Sequence, residues 1–282
     1  MSLSSDAVWF ITGCSTGFGR SLARQALERG YRVAVTARNP AQLQDLVDSY
    51  PDHALPLKLD VTKPEDITAA VAAVNKAFGG IDVLVNNAGI GYLGAVEESD
   101  ERAVRDMFEI NFWGLANMTR AALPGMRQRR SGHIVNISSI GGVRGGPSVG
   151  FYNATKFAVE GLSEALVKEV SPLGIKVLLV EPSGFRTDWA GRSASEAQVI
   201  IDDYADTAGT RRVQIRNASG KQAGDPERAA SAIIAAVIAE NPPFRLLLGN
   251  VALTAGLEKA AELAREFESW ATVSKNADFP EA

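Results

Sequence analysis

Thr12-Gly13-Cys14-Ser15-Thr16-Gly17-Phe18-Gly19 is the stretch on which the reading of the fold turns. Before it, Val8–Thr12 is a short apolar run. After it, from Phe18, residues Leu22, Ala23, Ala26 and Leu27 recur on one helical face, and Gly30 sits where a C′ glycine belongs. A strand that turns through glycines into a helix leaves backbone N–H groups free at the helix N-terminus, where they favour a pyrophosphate. The missing Cβ atoms let a ligand approach the backbone. Glycines at 13, 17 and 19 match neither the G-x-G-x-x-G dinucleotide spacing nor a P-loop, which needs Gly-Lys-Ser/Thr. The alternative is a tight strand-to-helix turn that binds nothing.

Working outward, strand-like and helix-like segments alternate. Arg32–Thr36, Leu55–Leu59 (interrupted by Pro56), Val83–Asn86, Ile134–Ile137, Val177–Val180 and Arg245–Leu248 read as further strands. Pro40 opens a short helix over Ala41–Leu46, and Thr62-Lys63-Pro64-Glu65 reads as a capping box for a helix to about Phe78. A long helical stretch spans about Asp100 to Arg129, another helix follows Phe151, and Asp225-Pro226 opens one more. The strands are apolar throughout, as a parallel sheet covered on both faces requires. These features predict a single α/β domain over 1–282: a doubly wound, Rossmann-type, parallel seven-stranded sheet with helices on both faces. The Ser-, Gly-, Arg- and Asp-rich stretch 184–224 reads as a mobile flap. A C-terminal amphipathic helix at about 253–271 carries Leu253, Leu257, Ala260, Ala264 and Phe267; packing on its own core is the favoured expectation and a partner-binding role the alternative.

Composition narrows the function. In 282 residues, 46% are hydrophobic and 22% charged, which excludes disorder as the main state. A net charge of -4 gives no electrostatic reason to bind nucleic acid or an anionic membrane, and Arg127-Gln128-Arg129-Arg130 reads as dipole-complementing residues closing a helix. One cysteine, Cys14, and two histidines make a Cys/His zinc site untenable, so no metal is expected. Ala232–Ala239, the longest apolar run, is far short of the ~20 residues a membrane span needs. Met1–Asp6 carries no secretory n- or h-region, and the expected location is cytoplasmic.

The second strand ends Thr36-Ala37-Arg38-Asn39. The carboxylate that usually bonds the ribose of a non-phosphorylated cofactor is missing, and Arg38 can pair with a 2′-phosphate. NADP(H) is therefore favoured, with NAD(H) as the alternative; a solvated strand-end arginine is the bland reading. Tyr152 and Lys156 stand four apart on a helix, hence side by side. A phenol with pKa near ~10 becomes a useful acid/base group if the ammonium and a bound nicotinamide lower it by about 2–3 units. Alone, the pair is weak evidence. Asn86-Asn87-Ala88-Gly89 after the fourth strand and Ser138-Ser139 after the fifth join it, because residues beyond strand C-termini line the crevice of a doubly wound sheet.

With TGxxxGxG at 12–19, NNAG at 86–89, Asn111, Ser139 and YxxxK at 152–156, the chain resembles the short-chain dehydrogenase/reductase family over nearly its whole length. Its particular look is similar to bacterial members related to retinol and 17β-hydroxysteroid dehydrogenases. The resemblance implies carbonyl/alcohol interconversion with Tyr152 as proton donor/acceptor, Lys156 lowering its pKa and bonding the nicotinamide ribose, Ser139 holding the substrate oxygen and Asn111 positioning a water. It implies a cofactor site of Gly13, Ser15, Thr16, Gly17, Phe18, Gly19, Arg38, Asp60 and Val61 (adenine), Asn87, Ala88, Gly89, Pro182, Gly184 and Thr187 (carboxamide). It also implies a homodimer or homotetramer, built from the helix before Arg129 and the helix bearing Tyr152. Ser183 replaces the glycine of the family's Pro-Gly turn, at a cost if its φ must be positive. Phe151, Phe185 and Trp189 are candidates for an apolar wall, with Val143 and Arg144 at its rim; an apolar ketone, aldehyde or secondary alcohol fits them best. The rival readings are a dinucleotide-binding sensor without chemistry, which retention of Tyr152 and Lys156 disfavours, and a nucleotide-sugar epimerase or dehydratase, whose GxxGxxG spacing differs.

Overall fold

The computed structural model describes residues 3–279. In chain order the elements are β1 (Val8–Ile11), α1 (Gly17–Glu28), β2 (Arg32–Ala37), α2 (Gln44–Ser49), β3 (Ala54–Lys58), α3 (Pro64–Phe78), β4 (Val83–Asn86), β5 (Gly91–Leu93), α4 (Glu101–Phe108), α5 (Leu115–Arg129), β6 (Gly132–Ile137), α6 (Gly150–Val170), β7 (Ile175–Pro182), β8 (Ala194–Glu196), α7 (Thr210–Asn217), α8 (Pro226–Ile238), β9 (Arg245–Leu248), α9 (Asn250–Ser269) and α10 (Ala271–Lys275). Seven strands form one sheet in the order β3-β2-β1-β4-β6-β7-β9. Every pairing in it is parallel.

The inner strands β2, β1, β4, β6 and β7 are buried on both faces, so alternate residues enter different cores. Trp9 and Ile11 join Val33, Val35, Val83 and Val85 under α1 and α8. Val8 and Phe10 join Ala34, Leu84 and Ile134 under the helices on the opposite face. The strand order reverses between β1 and β4, which opens a crevice beyond their C-terminal ends. Pro56 is tolerated because β3 is an edge strand, with its missing N–H facing away from the ladder.

Several local expectations are corrected. The capping box at Thr62 does not form: Lys63 is the N-cap without a side-chain bond, and Thr62 Oγ1 instead donates to Asp60 Oδ1 at 2.7 Å. The stretch from Asp100 to Arg129 is interrupted by a π-helical turn, Glu109–Gly114, between α4 and α5. A second, two-stranded parallel sheet, β5-β8, has no counterpart in the sequence reading. Ser183 carries no left-handed strain, because the only non-glycine residues with positive φ are Arg130 and Ser148 among the described residues. Its N–H donates to Leu248 O at 3.0 Å, which ties the turn to β9.

The C-terminal helix also differs from expectation. It docks through small residues, Ala252 and Gly256, the latter against Leu247. Leu257 and Phe267 are 63% and 67% exposed, so the leucine-bearing stripe does not pack on the core. The 184–224 stretch carries structure of its own. Arg216 donates to the carbonyls of Ala190 (3.0 Å), Gly191 (2.6 Å) and Ala194 (2.8 Å), and buried Glu98 accepts from Ile201 N at 3.0 Å.

A Cβ on Gly114, in the π turn, would lie 2.6 Å from Val61 Cγ2, so the helix can cross the β3–α3 loop only with a bare backbone there. Gly114→Ala is expected to destabilise by about 1–3 kcal/mol through overpacking. Adding Val61→Ala should recover much of that loss. Thermal melts of the four proteins of this cycle test the coupling, and additive losses would refute the contact.

Candidate active site

The crevice is a cavity of about 1150 Å³ along the C-terminal edge of the sheet. Its first wall is the glycine loop. Gly13 has φ +73°, and a Cβ on Gly19 would lie 2.2 Å from Gly13 O, so the first turn of α1 rests directly on the loop backbone. Thr16 caps α1 without a side-chain hydrogen bond and no acidic residue occupies the first turn, which leaves the helix N-terminus available to an anion. Cys14 points inward: its Sγ donates to Ile11 O at 3.2 Å, and burial pushes the thiol up to about 12. A buried, protonated thiol of this kind is packing rather than a nucleophile.

Thr12 joins this loop to the end of β4. Its Oγ1 accepts from Asn87 N and Ala88 N, both at 2.9 Å. Asn87 Nδ2 returns the support by donating to Thr12 O at 2.8 Å and Gly13 O at 3.1 Å. The Asn87 side chain is thus a brace for the glycine loop. Asn86 turns into the core, donating to Thr119 Oγ1 and Asn136 Oδ1.

The opposite wall holds Ser139, Tyr152 and Lys156. Ser139 ends the loop after β6 and its Oγ accepts from Gly141 N at 3.0 Å. Tyr152 and Lys156 project from α6 one turn apart, and Trp189 packs against the phenol in a tilted arrangement, at a centroid distance of 4.8 Å and an interplanar angle of 57°. Lys156 is buried and donates to Ile137 O at 2.8 Å. Burial pushes the Tyr152 hydroxyl up to about 12, with the Ser139 hydroxyl acting the other way. Burial draws the Lys156 ammonium down to about 8, opposed by the charge of Glu160. Lys156 Nζ lies 5.8 Å from the Tyr152 ring centroid, and among the protein's own groups burial outweighs the Ser139 hydrogen bond at the phenol; the lowering expected of the pair is tied to a bound nicotinamide.

Gly13, Ser15, Thr16, Gly17, Phe18, Arg38, Asp60, Val61, Asn87, Ala88, Gly89, Ser139, Tyr152, Lys156, Pro182, Gly184 and Thr187 all line the one cavity. Gly19 and Asn111 do not. Gly19 is under the loop, and the Asn111 side chain is spent on Ile90, accepting from its N–H (2.8 Å) and donating to its carbonyl (2.9 Å). Its Nδ2 also reaches Thr155 Oγ1 at 3.2 Å, so the side chain clamps the loop after β4 to α6. Of the proposed apolar wall, Phe185 and Trp189 line the cavity, whereas Phe151 packs with Tyr92 and Met107. Arg144 reaches the rim and pairs with Glu258 on α9 at 3.2 Å; Val143 does not line it.

The sequence reading missed Ile90, Asn153, Gln214, Ile215, Val251 and Ala255, which also line the cavity. Asn153 was legible within Tyr152–Lys156: its Oδ1 accepts from Gly146 N at 2.9 Å and so shapes the rim. The others come from distant segments and carry no local signal. Together the site offers two hydroxyl donors and a buried ammonium facing an uncapped helix N-terminus, an arrangement suited to moving a proton at an oxygen beside a bound anion-bearing cofactor.

Residues 7–198 match the short chain dehydrogenase family. A 3-ketodihydrosphingosine reductase of Bacteroides thetaiotaomicron is 42% identical over 240 residues, 85% of this chain and 86% of the relative. A short-chain dehydrogenase from Streptomyces avermitilis is 45% identical, with a TM-score of 0.90 over 97% of this chain and 100% of its own. ElxO, solved with NADP bound, is 28% identical, with a TM-score of 0.73 over 88% of this chain and 99% of its own.

Thr12→Val keeps the shape and removes the acceptor for two backbone N–H groups. It should destabilise by about 1–3 kcal/mol, whereas Thr12→Ser should stay close to the parent. Equal melting temperatures for the valine and serine variants would show that the hydroxyl carries nothing.

Proposed function

The chain belongs to the short-chain dehydrogenase family and is an oxidoreductase, and from that premise we propose that it interconverts an apolar ketone or aldehyde and the matching alcohol with NADP(H). The observation that carries this reading is the convergence of Ser139, Tyr152 and Lys156 on one cavity with the uncapped glycine loop. A nicotinamide dinucleotide, when bound, supplies the hydride for reduction or accepts it in oxidation. The residues fit such a group: the α1 N-terminus and the loop 13–19 would hold its pyrophosphate, Asp60 and Val61 its adenine, Lys156 its ribose, and Thr187 its carboxamide.

In the direction of reduction, Ser139 and Tyr152 donate hydrogen bonds to the carbonyl oxygen. As that oxygen gains negative charge, the Tyr152 proton passes to it, and the Lys156 ammonium stabilises the phenolate left behind until solvent reprotonates it. The high proton affinity of Tyr152 in the free protein keeps it an acid at neutral pH, as reduction requires. Asn111 acts by clamping Ile90 rather than by touching the reacting atoms.

Preference for NADP(H) over NAD(H) rests on Arg38. It is exposed at the cavity rim, follows Ala37 where an acidic residue would favour NAD(H), and has no hydrogen-bond or ion-pair partner among the described residues. The nearby Asp60 is already engaged by Thr62. Phe185, Trp189 and Ile215 of the 184–224 flap, with Val251 and Ala255 of α9, supply the apolar surface for the substrate.

Consumption of NADPH and NADH against a panel of apolar ketones, aldehydes and quinones tests this reading. Tyr152→Phe should lower kcat by roughly 10²–10⁴ while NADPH binding, read by fluorescence, stays nearly unchanged. Arg38→Ala should lower kcat/KM for NADPH by about 10–100-fold and leave NADH untouched, the worth of charge-assisted phosphate bonds. Near-normal turnover in Tyr152→Phe overturns the proton donor, and binding without turnover on any substrate returns the sensor reading.

A homo-oligomer is part of the proposal. Trp113, in the π turn leading into α5, and Phe157, on α6, are both about half exposed on the two elements expected to pair. Light scattering should give a multiple of the 30.0 kDa chain mass, and Trp113→Arg with Phe157→Arg should reduce it. A single-chain mass for the parent at micromolar concentration refutes the expectation.

A further inference from the structure

A buried charge cluster that the proposed reaction does not use lies one helical turn below Lys156. Glu160 follows Lys156 by four residues on α6, so the two side chains share a face, and each residue is only 6% exposed. Glu160 Oε1 accepts from Ser138 Oγ, the residue before Ser139, and Oε2 accepts from Arg245 on β9. Arg245 also bonds Glu181 on β7, the residue before Pro182, and Glu164 on α6 at 2.6 Å. A Cβ on Gly142, in the turn after Ser139, would lie 3.0 Å from Glu160 Cγ, so the carboxylate packs directly beneath the Ser139 loop. One side chain therefore touches the helix of Lys156, the loop of Ser139 and, through Arg245, the strand end at Pro182.

The charges facing Glu160 are Lys156 and Glu164 on its own helix, Glu181 on β7 and Arg245 on β9. Glu181 is 1% exposed, and its Oε2 has no hydrogen-bond partner among the described residues. Burial and the neighbouring Glu160 raise its proton affinity, with Arg245 acting the other way. A buried ammonium without a counter-charge loses its proton. Lys156 itself bonds the Ile137 carbonyl, a neutral acceptor, and makes no direct ion pair with Glu160, whose carboxylate acts on it through its charge one helical turn away.

We propose that Glu160 is a positioning residue: its buried carboxylate is the counter-charge that keeps Lys156 protonated, and its bonds to Ser138 and Arg245 hold the Lys156 helix against the strand ends of the site. The inference rests on the roles given above to Tyr152 and Lys156. It follows that Glu160→Gln, which keeps the shape and removes the charge, lets Lys156 lose its proton at lower pH. Arg245→Gln removes a neighbouring cation and should move Lys156 the other way.

The test uses the full chain labelled with ¹³C at lysine Cε, the Lys156 signal being assigned by its loss in Lys156→Arg, and titrated by NMR without cofactor. The expected result is a Lys156 midpoint about one unit or more lower in Glu160→Gln, restored toward the parent in Glu160→Asp and raised in Arg245→Gln. The alkaline limb of kcat/KM for NADPH should move with it. An unmoved midpoint in folded Glu160→Gln overturns the proposal, and if that variant does not fold, an unmoved midpoint in Arg245→Gln overturns it instead. A midpoint that moves while the rate profile stays overturns the positioning role and, with it, the part assigned to Lys156; loss of the Tyr152 reading alone would show as full turnover in Tyr152→Phe.

Discussion

Thr12 Oγ1 accepts hydrogen bonds from the backbone N–H groups of Asn87 and Ala88, each at 2.9 Å, across the point where the order of the strands reverses. Parallel strands on either side of such a point diverge toward opposite crossovers, and the crevice between them would leave backbone groups without partners. Thr12 and Asn87 close that gap from both sides, and Thr36 completes it by donating to Ile11 O at 2.9 Å while accepting from Gly13 N at 3.3 Å. The glycine loop is thus held by side chains from three strands. Its own outward N–H groups remain free for a ligand because its inward polar groups are already satisfied.

The opposite wall depends on burial. Lys156 and Tyr152 both lie where the neutral form is favoured, which holds the phenol protonated and draws the ammonium toward neutrality. In the proposed reaction these tendencies have opposite uses: a protonated phenol is the required acid, while a charged lysine is needed to receive its phenolate. A counter-charge near Lys156 therefore matters more than it would at the surface, and the Glu160–Arg245–Glu181 cluster stands at the position where one can act.

The substrate end is assembled from segments far apart in the chain. β5 pairs with β8 over Gly91–Ala194 to Leu93–Glu196, which brings the loop before β8 across the end of the sheet. Trp189 then lies over Tyr152, and only a glycine at 91 leaves it room: a Cβ there would be 2.9 Å from its ring. The start of α9 adds Val251 and Ala255 to the cavity, and Arg144–Glu258 ties that helix to the Ser139 loop. The same helix leaves its larger apolar residues exposed, because its contact with β9 is made through Ala252 and Gly256.

The seven strands of the main sheet, the helices between them and the crevice-lining residues of the glycine loop, the Asn87–Gly89 turn and the Ser139–Lys156 region are legible in the sequence, since each is written in residues close together. Continuous apolar runs specify buried strands, glycine spacing specifies a turn, and an i,i+4 pair specifies a shared helix face. Tertiary structure decided what depends on a distant neighbour. Gly19 and Asn111, grouped with the site by their motifs, turned out to pack beside it, because Gly13 O and Ile90 already occupy their polar and steric reach. Ile215 and Val251 entered the cavity through chain folding that no local pattern encodes. Burial favours the neutral forms of both Tyr152 and Lys156, an effect that their spacing does not carry. Spacing determines which groups stand side by side, but burial and the charges of other strands determine which protonation state each one holds.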